Sequence, residues 1–148
     1  MIRRCILLLM ALAVASCGGD TSPEAQVRAV VAEAEAAAEA RDASALLDLV
    51  ADDYRDGRGN GADEIRRYVR GYLVAHQSVH LLVRIEELEL KATDLARLRA
   101  TVAMVGREAE GAAAWDLAAD VHEFDVTLAR EDGEWRVTRA DWRPALAR

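Results

Sequence analysis

Asp120, His122, Arg139 and Asp141 are the residues of this chain whose types and spacing could do acid–base chemistry. They alternate within two segments, 120–128 and 135–142, that read as neighbouring strands, and period two puts all four at one end of a shared sheet face. In an apolar pocket Asp141 or Asp120 would serve as the base, because burial raises a carboxylate's pKa. His122 or Arg139 would hold that base, and a hydroxyl from Tyr54, Tyr68 or Tyr72 would donate to a developing oxyanion. His76 could approach the same cavity, whose apolar wall would include Phe124 and Trp135. The simpler reading is that opposed Asp and Arg are rim charges that stabilise the sheet. No Asp, Tyr or His sits in a motif specific to a reaction, so no residue is assigned as catalytic.

Metal and cofactor chemistry find less support. His76 and His80 are four apart, but Gln77-Ser78-Val79 reads as a helix-to-strand transition, which spoils the one-face geometry of such a pair. His76 better suits a helix C-terminus, where a cation meets the dipole. Asp52, Asp53 and Asp56 lack the spacing of a calcium loop. Tyr54 to Gly61 holds three glycines in five residues without a Lys-Ser or Lys-Thr pair, so it is a loop and not a phosphate cradle. No cofactor and no metal are expected.

The elements that must position these groups begin with the hairpin. Asp132-Gly133 supplies two positive-φ residues for a type I′ turn between segments alternating apolar and polar. A two-residue loop sets Glu131 opposite Glu134, Leu128 opposite Val137, Val126 opposite Arg139 and Phe124 opposite Asp141. Phe124, Val126, Leu128, Trp135 and Val137 then share a face. Trp142 falls on the opposite face, a candidate surface for a homodimer or another partner. Upstream, Ser22-Pro23-Glu24 starts a helix with an apolar stripe through Val27, Val30, Val31, Ala34 and Ala38. A second helix fits Asp42 to about Asp53, and Asp63 caps a third that presents Ile65, Tyr68, Val69, Tyr72, Leu73 and His76. Val79 to Ile85 alternates and then changes phase to Leu88 and Leu90, which predicts a bulge near Glu86-Glu87. After a turn at Thr93-Asp94, Leu98 to Met104 alternates again. Gly106 to about Ala114 reads as a connection, and Trp115 to Asp120 as either strand or short helix.

The first residues have another purpose. Met1 to Arg4 is a basic start and Cys5 to Val14 an apolar run of ten residues, against the ~20 that span a bilayer. Val14-Ala15-Ser16-Cys17 resembles the bacterial lipobox, so residues 1–16 are expected to be a lipoprotein signal peptide, Cys17 the lipidated residue and 17–22 a short linker to a domain over 23–148. Acyl chains would anchor the protein in the cell envelope on the periplasmic side. Gly18 rather than Asp after the cysteine points to the outer membrane. With Cys5 removed and Cys17 acylated, the domain has no disulfide or thiolate site. The net charge of −7 becomes −9 once Arg3 and Arg4 are gone, which argues against nucleic acid as a partner.

Helix, helix, Gly-rich loop, helix and then a bent antiparallel sheet is the order of the nuclear transport factor 2-like (SnoaL-like, cystatin-like) cone, an α+β fold. Asp42 to Tyr54 resembles that family's second helix, Gly61-Ala-Asp-Glu-Ile-Arg-Arg-Tyr68 its third-helix opening, and Asp132-Gly-Glu-Trp-Arg-Val137 its final hairpin. The resemblance covers about residues 24 to 143. It implies a curved sheet around a pocket closed by helices, in a family with isomerases, dehydratases, cyclases and non-catalytic modules. The expected role is a binding or interaction module for a small apolar ligand or a protein. A cofactor-free isomerase or dehydratase is the alternative.

Overall fold

The structure, a computed structural model, describes residues 21–108 and 118–145. The expected signal peptide, Cys17, most of the expected linker, Trp115 and residues 109–114 of the expected connection lie outside the described residues. Three helices precede four strands: α1 (Pro23–Glu39), α2 (Ala43–Asp48), α3 (Ala62–Ala75), β1 (His76–Ala92), β2 (Leu95–Glu108), β3 (Ala118–Glu131) and β4 (Glu134–Pro144). The strands form one antiparallel sheet in sequence order.

Helix starts follow the sequence. Ser22 accepts a hydrogen bond from the Ala25 N–H and Asp42 one from the Ala45 N–H, which satisfies donors that each first turn leaves orphaned. At α3 the N-cap is Gly61 rather than Asp63, and the Glu64 carboxylate accepts the Gly61 N–H at 2.9 Å. Helix α2 stops at Asp48, short of the expected Asp53. The backbone after it bonds to a strand instead of continuing the helix. Val137 N–H donates to the Leu49 carbonyl, Ala51 N–H to the Val137 carbonyl and Arg55 N–H to the Thr138 carbonyl. Residues 49–58 thus form a strap along the free edge of β4.

Register decides which side chains meet. The β1 bulge falls between Ile85 and Glu87, as the phase change predicts. The Asp132-Gly133 turn is present, with φ of 50° and 87°. Glu131 faces Glu134 and Leu128 faces Val137. Past that pair β4 carries one extra residue, Thr138, so Val126 faces Ala140 and Phe124 faces Trp142. The expected pairings of Val126 with Arg139 and Phe124 with Asp141 are therefore wrong. The bulge sits where the strap bonds to Val137 and Thr138. Gly106 belongs to β2 and not to a connection, and Ala118 to Asp120 are strand.

The inner face carries the core. Val27 from α1 meets Ala96, Leu98, Leu128 and Trp135, with Leu88, Leu90, Val126 and Val137 around them. Burying a side chain such as Leu128 stabilises by about 1.5–3 kcal/mol. A second cluster, Ala38, Leu73 and Val79, ties α1 and α3 to the start of β1. The outer face is charged: Arg97 pairs with Asp125, Arg99 with Glu87 and Arg143 with Glu123. A cleft of about 830 Å³ runs over that face.

Candidate functional site

At the end of the inner face away from the hairpin turn, six rings follow one another. His76 stacks on Tyr72 with centroids 4.1 Å apart. Tyr72 and Tyr68 are 6.4 Å apart, Tyr68 and Trp142 6.3 Å, Trp142 and Phe124 6.0 Å, and Phe124 and His122 6.5 Å. The four separations of 6.0–6.5 Å lie in the range where aromatic pairs contribute about 0.5–1.5 kcal/mol, and the His76–Tyr72 stack is closer. Helix α3 supplies one limb of this arc through the i, i+4 pair Tyr68 and Tyr72, with His76 just past its end. Strands β3 and β4 supply the other through alternate residues.

The polar groups of the arc are few. His122 Nδ1 is buried and has no hydrogen-bond partner among the described residues. An unmet polar atom of this kind costs about 1–3 kcal/mol unless something supplies a bond. Burial pushes the Tyr72 hydroxyl above its ordinary pKa, and the nearby Tyr68 and Asp120 add to that. Asp120, exposed and two residues before His122 on the same face, therefore stands within electrostatic reach of the opposite limb. His76 Nδ1–H donates to the Tyr72 carbonyl at 2.8 Å, which is the helix-end role expected of it. His80 instead approaches Glu39, so the two histidines do not share a site. Among the described residues no group of three or more His, Cys, Asp or Glu could hold a metal ion.

Not every expected site residue is here. Asp141 and Arg139 lie on the outer face, because the Thr138 bulge inverts the strand's phase. They pair with each other at 2.7 Å, and Asp141 also accepts the Gly57 N–H at 2.6 Å. The reading of Asp141 as a pocket base is corrected accordingly: it anchors a loop. A Cβ on Gly57 would stand 2.8 Å from that carboxylate, so the glycine permits the contact. Trp135 is core at the hairpin end, only 5% exposed, and donates its indole N–H to Gln26 at 3.0 Å. Tyr54 is buried in the strap, and its hydroxyl donates to the Ala140 carbonyl at 3.1 Å. Burial, then the Asp56 charge, pushes it up to about 12. Asp56 itself is held below the usual carboxylate value: burial opposes this, but bonds from Asn60 and Arg58 outweigh it.

The sequence reading missed Trp142 and Arg58. Trp142 turns onto the inner face beside Phe124, not onto the outer face where a dimer contact was expected. Arg58 lies over the Trp142 ring at 4.6 Å. The signal for Trp142 was legible: apolar residues fall at 135 and 137 and resume at 140 and 142, the same phase change that betrays the β1 bulge. Nothing in the loop sequence marks Arg58.

No family model matches the chain, and no curated protein matches it in sequence. Solved structures do match. A scytalone dehydratase-like protein of Novosphingobium aromaticivorans aligns with a TM-score of 0.73 at 14% identity, over 82% of this chain and 83% of that one. A dehydratase-like protein of the NTF2-like family from Streptomyces avermitilis aligns with a TM-score of 0.68 at 15% identity, over 82% and 96%. A cystatin-like-fold protein of unknown function from Nostoc punctiforme gives 0.62 at 15%, over 81% and 89%. Helices laid on a bent four-stranded sheet, with these neighbours, establish that the chain has the NTF2-like, cystatin-like fold.

Proposed function

We propose that this protein is a lipid-anchored binding module of the bacterial periplasm, whose aromatic arc takes a small planar apolar ligand. The observation that carries the reading is the run of six rings ending at a buried imidazole nitrogen without a partner among the described residues. Rings bind rings at little entropic cost, and a ligand hydroxyl meets His122 Nδ1 in either tautomer, as donor or acceptor. The envelope location rests on the basic start, apolar run and lipobox-like Val14 to Cys17. A homodimer through the outer face would use its charged rows with Leu82 and Val121, and not Trp142.

The test is fluorescence titration of the full chain with 2-naphthol. Saturable quenching that disappears in Trp142→Phe, while Trp135 still emits, is the expected result; a linear, unsaturable response sinks the reading. Incorporation of a clickable palmitate, lost in Cys17→Ser, tests the anchor.

One arrangement favours a second reading, a cofactor-free dehydratase. Tyr72 feels the charge of Asp120, which stands two residues before His122 on one strand face, and two of the structural neighbours are dehydratase-like. There His122 would take a carbon-bound proton and Tyr72 would donate to the departing hydroxyl. Turnover of a bound hydroxylated ring compound, abolished in His122→Asn, would favour it over simple binding.

A further inference from the structure

Arg58, the last residue of the strap, is exposed and lies over the Trp142 ring. Its guanidinium lies 4.6 Å from the ring centre, and one Nη donates to the Trp142 carbonyl at 3.0 Å. Among the described residues it makes no ion pair, whereas Arg97, Arg99, Arg139 and Arg143 on the outer face each meet a carboxylate. Asp56 is close enough to feel its charge but is committed to the loop: one oxygen accepts the N–H groups of Arg58 and Asn60, the other the Asn60 side-chain amide. A guanidinium has five N–H donors in one plane, and stacking on a ring leaves the edge of that plane open.

The arc is therefore electrically asymmetric. A cation with no ion pair among the described residues sits beside Trp142, and a carboxylate, Asp120, sits by the other end. A ligand with one negative group is oriented by that difference, its charge toward Arg58 and away from Asp120. We propose that the ligand is an aromatic acid, its ring within the arc and its carboxylate paired edge-on with Arg58. This rests on the arc being a ligand site and adds the ligand's charge and orientation. A hydroxyl opposite the carboxylate then reaches the His122 end, two ring-to-ring steps from Trp142.

Two probes of matched shape separate the ideas: 2-naphthoate and the uncharged 2-naphthamide. Binding is measured by equilibrium dialysis on the full chain in nanodiscs, with empty nanodiscs as blank. Arg58 is exposed, so its pair with a carboxylate is worth about a twofold to fivefold gain and weakens with salt. The expected result is that Arg58→Gln loses that factor for naphthoate and leaves naphthamide unchanged, and that Arg58→Lys recovers part of it. Equal affinity for the two probes in the native protein, or an equal loss of both in Arg58→Gln, overturns the proposal. The second outcome would make Arg58 a clasp on Trp142. Binding of neither probe would instead remove the reading of the arc as a ligand site, and the proposal with it.

Discussion

At the hairpin end of the inner face, Val27, Ala96, Leu98, Leu128 and Trp135 are each at most 5% exposed, and the one polar group among them, the Trp135 indole N–H, is bonded to Gln26. At the other end of the same strands Tyr68 is 55% exposed, the remaining rings are half-buried and His122 Nδ1 is unmet among the described residues. The first end is closed by helix α1, so its side chains meet only one another. The second leaves aromatic surface and hydrogen-bonding capacity unspent. Stability is therefore concentrated where aliphatic side chains interlock, and the proposed recognition where rings line an open margin.

Substitutions can break or sharpen that contrast. Leu128→Ala should cost the most, about 2–5 kcal/mol, because a cavity opens in a closed core. Urea denaturation would show the loss as a lower midpoint, and a shift below 1 kcal/mol would mean that this end is not the stabilising one. Tyr54, on the strap between the two ends, gives the next effect and only in alkali. Its folded value of about 12 exceeds the ordinary 10, so its contribution is fully present below pH 10 and disappears as pH rises to 12. Two pKa units correspond to about 2–3 kcal/mol. Denaturation midpoints at pH 9 and 11.5 should fall further in the native protein than in Tyr54→Phe; parallel falls would refute the assignment. Smallest, and opposite in sign, is His122→Phe. Removing an unmet buried nitrogen should raise stability by about 1 kcal/mol while abolishing 2-naphthol binding. A destabilised variant would show that His122 serves packing and not recognition.

Much of the fold was legible because its signals are local. Ser22 and Asp42 mark helix starts, Asp132-Gly133 fixes a turn, and the phase change at Glu86-Glu87 locates a bulge. The site was half legible. Tyr68, Tyr72, His76, His122 and Phe124 lie in the arc, since helix and strand periods project them correctly. Asp141, Arg139 and Trp142 were assigned to the wrong faces because one inserted residue, Thr138, reverses everything after it. That insertion goes with a strap more than eighty residues earlier in the chain, a long-range partner that no window on β4 contains. For the same reason α2 read too long: its apolar pattern continues through Leu49 and Val50, but their backbone belongs to the strap.

The strap also has a consequence for how the chain is made. Tyr54 and Ala140, which it joins, are 86 positions apart, so the outer edge of β4 is sealed only after nearly the whole domain has been synthesised. Contacts of such separation form late and slowly. Until they form, β4 presents an unpaired row of N–H and C=O groups to any other extended chain, and a newly made molecule is most prone to pair with its neighbours in that interval.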